Sequence, residues 1–129
     1  MDAINDLSAG YAHDKLLAEL SFGFWRYQFA SKEFSAAGST LHNIFTKRPV
    51  GTNHTDIFKK LKLVNDIRNR IAHHEPICFD LAGNSISTVY ILKHYAEITE
   101  LLSWLDIDAL DLFYGIDGIQ KEVDFINSL

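Results

Sequence analysis

The sequence predicts an all-α protein, a bundle of about five helices with a loop or small hairpin after the central one. Three observations lead there. Glycine and proline are scarce, with seven Gly and two Pro in 129 residues. Hydrophobic residues make up 47% of the chain and recur at helical rather than alternating spacing. The longest periodic stretch ends at a proline, which cannot continue a helix and pushes its predecessor, Glu75, out of the helical region.

The first helix is expected over 11–32. Leu16, Leu20, Phe24 and Gln28 share one face, and Phe22, Trp25 and Phe29 another. Its middle is apolar nearly all round, which predicts a central position or a subunit interface. Gly23 costs such a helix about 1 kcal/mol relative to alanine, and a close helix–helix approach would account for it. Ser35 to Ser39 breaks the helix, 40–45 reads as a short helical turn, and 47–55 is a loop holding Pro49 and Gly51. Thr55 is the expected N-cap of the central helix, 56–74, with Asp56 at its positive end. Ala82-Gly83-Asn84 marks a turn. Ser87 or Thr88 then starts a helix to about Leu105, with Val89, Leu92, Tyr95 or Ala96, Thr99 and Leu102 inward. Two short helices follow, from Asp106 to Tyr114 and from Asp117 onward, the last with Ile119, Val123 and Ile126 on one face.

The length suits one domain, 1–129. No apolar run approaches a membrane span. The acidic N-terminus has no signal-peptide character, and the single Cys78 suits a reducing compartment, so a cytoplasmic location is expected. Net charge is −5, but residues 47–74 carry a net +5 and the remainder −10. Lys59, Lys62 and Arg70 are therefore candidates to meet a phosphate backbone, RNA if the resemblance given below holds. On charge alone, a solvated basic helix face is the favoured explanation.

The central helix carries the chemistry. On a wheel with Arg68 at zero, Ala72 falls near 40°, Asn69 near 100° and His73 near 140°. Leu63, Ile67, Ile71, Val64 and Ile57 fill the opposite arc, with His74 on its flank. One arc thus presents a guanidinium, an amide and an imidazole, with Ala72 leaving room between them. The string Arg68-Asn69-x-x-x-His73 resembles the motif of the HEPN superfamily, small helical nucleotide-binding and RNA-cleaving domains. The longer run from Arg68 to Ile77 resembles its abortive-infection (Abi-like) branch, as does the aromatic segment Leu20-Ser21-Phe22-Gly23-Phe24-Trp25. The resemblance covers about the first two thirds of the chain. Longer chains are expected in that branch, so this one would be a short member or a C-terminal portion.

The resemblance implies a two-fold dimer that cleaves RNA without metal or other cofactor, with a cognate antitoxin as a possible partner. Arg68 and His73 would be catalytic, supported by Asn69. Arg68 offers a fork of donors to phosphate oxygens, and histidine is the side-chain type suited to acid or base work near neutral pH. His74, Glu75 and Glu19 are supporting candidates, Glu19 as an orienter of Arg68. For His74, packing against the core edge is the stronger expectation. Some HEPN toxins carry a modifiable tyrosine two residues after the motif histidine; Glu75 stands there in this chain. Metal chemistry has little support, because adjacent His73 and His74 point to different sides, and no CxxC, HExxH, GxGxxG or Walker sequence occurs. Two other readings stay open: a non-catalytic HEPN-like module that binds nucleotide, RNA or protein, and a helical dimerisation domain whose Phe22–Phe29 surface is the working part.

Overall fold

A computed structural model describes Leu17, residues 20–80 and residues 82–129. It is mostly helical: α1 (Phe22–Tyr27), α2 (Ser31–Ala36), a 3-10 turn (Leu41–Ile44), α3 (His54–Ala72), a hairpin of β1 (Phe79–Asp80) and β2 (Ser85–Ile86), α4 (Val89–Trp104), α5 (Ala109–Leu112) and α6 (Ile119–Asn127). The all-α class holds, and the Ala82-Gly83-Asn84 turn closes a two-stranded antiparallel hairpin with Phe79 opposite Ile86. A Cβ on Gly83 would lie 2.9 Å from Asp80 Oδ2 and 3.3 Å from Ser85 Oγ, so only glycine fits without displacing them.

The long N-terminal helix is corrected. Within the described residues the chain turns at Gln28–Ala30, where Ala30 is extended (φ −69°, ψ 149°), and then restarts as α2. Phe29 and Phe34 are both buried. On one straight helix, five residues apart, they would point about 140° from each other. The break lets both reach the interior, so packing overrides local propensity. Phe24, Trp25 and Tyr27 remain 43%, 43% and 52% exposed, so α1 lies at the edge of the bundle rather than its centre. Among the described residues nothing approaches Gly23 closely either; an added Cβ would meet Ser21 Oγ at 3.6 Å.

The core sits where α1, α2 and α4 pack on α3. Phe29, Phe45, Ile57, Leu101 and Trp104 form its buried centre, with Phe58, Leu61 and Val64 against it. Lys60 lies over the Trp104 ring, 5.1 Å from its centroid, and pairs with Glu97 and Glu100 of α4. Burial alone would lower the Lys60 pKa, but the hydrogen bonds to Glu100 and Glu97 outweigh it and raise the value.

The inward face of α4 also differs from expectation. His94, Leu101 and Trp104 are buried, whereas Val89 is 73% exposed and Ala96 faces solvent. The choice of face follows Trp104 and its contact with Phe45, which a single-helix wheel cannot see. His94 donates through Nδ1 to the Tyr90 carbonyl at 2.8 Å, which allows a polar ring in the interior. The next helix begins at Asp108, not Asp106. Asp108 Oδ1 accepts from Leu110 N–H at 2.8 Å, and Asp106 adopts φ +63° in the turn after α4.

The cap of α3 is Asn53, not Thr55. Asn53 Oδ1 accepts from Thr55 and Asp56 N–H at 2.9 and 3.1 Å, and Asp56 Oδ2 accepts from Asn53 N–H at 3.0 Å. This reciprocal capping box satisfies N–H groups that the helix itself cannot. Asn53→Ala should therefore cost about 1 kcal/mol, measured by denaturant melts, while Thr55→Ala should cost well under half of that.

At the other end, the Tyr95 hydroxyl donates to Asp117, whose other oxygen accepts Ile119 N–H at 3.1 Å. These two hydrogen bonds, the Tyr95 one foremost, hold the Asp117 carboxyl below its ordinary range. A carboxylate with a lowered folded-state pKa stabilises above its unfolded value and loses that contribution as pH falls through the folded one. Amide protection factors in α6 should accordingly fall below about pH 4, and Asp117→Asn should remove that pH dependence.

Candidate functional site

The site residues occupy the last turns of α3, and the way that helix ends governs them. The helix stops at Ala72, with His73 as C-cap and His74 left-handed at φ +55°. His74 N–H donates to Ile71 O at 3.1 Å and Glu75 N–H to Arg70 O at 2.8 Å. That pair of bonds is a Schellman closure, with histidine where glycine is usual and Pro76 just beyond. The expected 56–74 span therefore shifts two residues toward the N-terminus. His74 is exposed, not packed on the core edge, because the left-handed turn takes it off the helix surface. Ile71 is likewise 57% exposed, although Ile57 and Ile67 of the same stripe are buried. His74→Gly should relieve the left-handed strain and stabilise by roughly 0.5–1 kcal/mol, read as a rise in Tm.

Arg68 is exposed, and its NH1 donates to Asn69 Oδ1 at 3.0 Å. Asn69 thus fixes the guanidinium rather than the imidazole, while its carbonyl receives His73 N–H at 2.9 Å. The His73 ring is exposed and makes no side-chain hydrogen bond among the described residues.

The basic segment divides into occupied and available cations. Arg48 donates to the carbonyls of His42 and Phe45 at 3.0 and 3.1 Å. Lys62 pairs with Asp66 at 2.6 Å. Arg70 donates to Pro76 O at 2.8 Å, lies 3.7 Å from Glu75 and stacks 5.1 Å from the Tyr90 ring centroid. Lys62 and Arg70 thus each have a partner within the protein. Glu75 is exposed and lies 3.7 Å from Arg70. Lys59 is exposed, and neither it nor Arg68 has an anionic partner among the described residues. Glu19, the expected orienter of Arg68, lies outside the described residues. Among those residues no group of His, Cys, Asp and Glu is placed to hold a metal ion.

The fold and site define a small helical bundle with an Arg-Asn pair and an uncovered histidine at the end of its central helix. No protein family matches the chain, and no solved structure matches it. A stretch of 60 residues, 45% of this chain, is 32% identical to proteins described as probable nicotinate-nucleotide adenylyltransferases from strains Tuc7 and 5A of Buchnera aphidicola subsp. Acyrthosiphon pisum. The match spans 28% of the length of those relatives. Among the described residues no helix is long and apolar enough to cross a membrane.

Proposed function

We propose that the protein is a HEPN-like, metal-independent endoribonuclease of the abortive-infection type, acting in the cytoplasm as a homodimer. The observation that carries this reading is the exposed Arg68 guanidinium, steered by Asn69 and lacking an anionic partner among the described residues, five residues before an uncovered His73. A charge left without a counter-ion at a fixed position suits a phosphate.

In this mechanism the RNA 2′-oxygen attacks the adjacent phosphorus, and the bond to the 5′-oxygen breaks. One His73 takes the 2′-proton, and His73 of a second copy protonates the departing 5′-oxygen. Arg68 from each copy balances charge on the phosphorane oxygens. The products are a 2′,3′-cyclic phosphate and a 5′-hydroxyl. The testing experiment incubates the purified chain with mixed RNA in EDTA and scores cyclic-phosphate ends. Their absence, with the protein folded and dimeric, rejects the reading.

A second reading, a helical dimerisation domain, is favoured by the exposure of Phe24, Trp25 and Tyr27 on α1. It requires Trp25→Ala to abolish self-association, with Arg68→Ala and His73→Ala silent. A non-catalytic nucleotide- or RNA-binding module would instead lose binding in those two variants, with no cleavage by the parent protein.

A further inference from the structure

The segment after α4 carries a surface that shares no residue with the Arg68–His73 site. Leu110, Tyr114 and Ile116 are 77%, 90% and 79% exposed there. Single exposed apolar residues are ordinary, but a cluster of them beside a groove marks a contact surface. Leu110 borders a hollow of about 530 Å³ and Ile116 one of about 200 Å³, both between α4, α5 and α6. Tyr95, Asp117 and Ile119 line both hollows, which therefore form one groove. Leu92, Ile98 and Phe113 make its walls apolar.

The charge around the groove has one sign. Residues 106–129 hold Asp106, Asp108, Asp111, Asp117, Glu122 and Asp124 against Lys121 alone, a net of −5. All of these are exposed, and none forms an ion pair among the described residues. Asp108 caps α5, Asp117 accepts from Tyr95 and Ile119, and Asp124 accepts from Gln120 at 2.7 Å. Those donors are neutral, so they leave the negative charge uncompensated. The charged residues of α4 face elsewhere: Lys93, Glu97 and Glu100 lie about 140–200° round the helix from Tyr95. Glu97 and Glu100 also pair with Lys60.

An apolar groove with an acidic rim selects its occupant. A second copy docked face to face would set like charges against each other. A nucleic acid or an anionic membrane would be repelled. The walls are helices, which offer no free strand edge, so an added strand has nothing to pair with. We infer that this groove docks a basic amphipathic helix of a partner protein. Apolar side chains spaced i, i+3 or i+4, and i+7 fill the two hollows, while flanking Lys or Arg meet rim carboxylates such as Asp111, Asp117 and Glu122. The surface is independent of RNA cleavage.

The test uses the full chain, 15N-labelled, titrated with a synthetic Leu/Lys amphipathic helix of about 18 residues, roughly 27 Å long, and separately with the same peptide carrying Glu for Lys. The Lys peptide should shift the amides of Leu110, Ile116, Gly118 and Ile119, and the Glu peptide should bind at least about tenfold more weakly. Leu110→Ser and Ile116→Ser together, both on exposed side chains, should weaken the Lys peptide about tenfold with Tm little changed. Asp111→Lys with Glu122→Lys should weaken it by a similar factor, and Arg68→Ala should leave it unchanged. No shift at these amides with about 1 mM Lys peptide would overturn the inference. So would equal binding of the two peptides, or unchanged affinity in the folded serine variant. Shifts at the same amides on raising protein concentration alone would assign the groove to a second copy, and shifts on adding phosphatidylcholine vesicles would assign it to a membrane; either result rejects the partner helix.

Discussion

His73→Ala is expected to lower RNA cleavage in EDTA by about 10²–10⁴-fold, the usual contribution of a positioned proton-transfer group. Melting temperature should be unchanged, because the ring is exposed and bonds to no side chain among the described residues. Arg68→Ala should cost about 10²–10³-fold through lost charge stabilisation, again without loss of fold. Arg68→Lys should recover little of it, because an ammonium cannot reproduce the planar fork. Mixing inactive His73→Ala with inactive Arg68→Ala is also informative. If two copies build one centre, the mixed dimer brings one wild-type His73 together with one wild-type Arg68, and partial cleavage should return. Cleavage retained in either single variant would place the chemistry elsewhere. Asn69→Ala should act more mildly, since it releases the guanidinium without removing it.

The second large effect concerns the core. Ile57 is 0% exposed and sits among Phe29, Phe45, Leu101 and Trp104. Ile57→Ala should destabilise by about 2–5 kcal/mol, the transfer loss plus the cavity left behind. A domain of this size is stable by only about 5–15 kcal/mol, so the variant should melt well below the parent in a thermal scan. Ile71→Ala, on the same predicted stripe but 57% exposed, should change stability by less than about 0.5 kcal/mol. Equal losses at the two positions would contradict the exposed position of Ile71. These two variants also guard the activity test, since a general loss of fold would lower cleavage without touching the chemistry.

Much of the outline was legible in the sequence. The central helix, its proline stop, the turn at Ala82-Gly83-Asn84 and the Ile119, Val123, Ile126 face depend on neighbours a few residues away. Local sterics and spacing therefore suffice for them. The cap at Asn53 was legible in principle: Asn followed three residues later by Asp is a capping pattern. Thr55, the expected cap, has a backbone N–H that is itself one of the groups being capped.

The sequence alone determined an all-α chain with Arg68, Asn69 and His73 at the end of one long amphipathic helix. Tertiary structure decided which faces turn inward. It broke the aromatic segment so that Phe29 and Phe34 could both be buried, and it chose His94, Leu101 and Trp104 over Val89 on α4. It also sorted the basic residues, giving Lys60 to Glu97 and Glu100, and Arg70 to Pro76 and Tyr90, while leaving Arg68 to Asn69 alone. The physical reason is range. Helix starts and stops are settled by steric and hydrogen-bonding terms within about one turn, whereas burial and ion pairing depend on partners that only folding brings close.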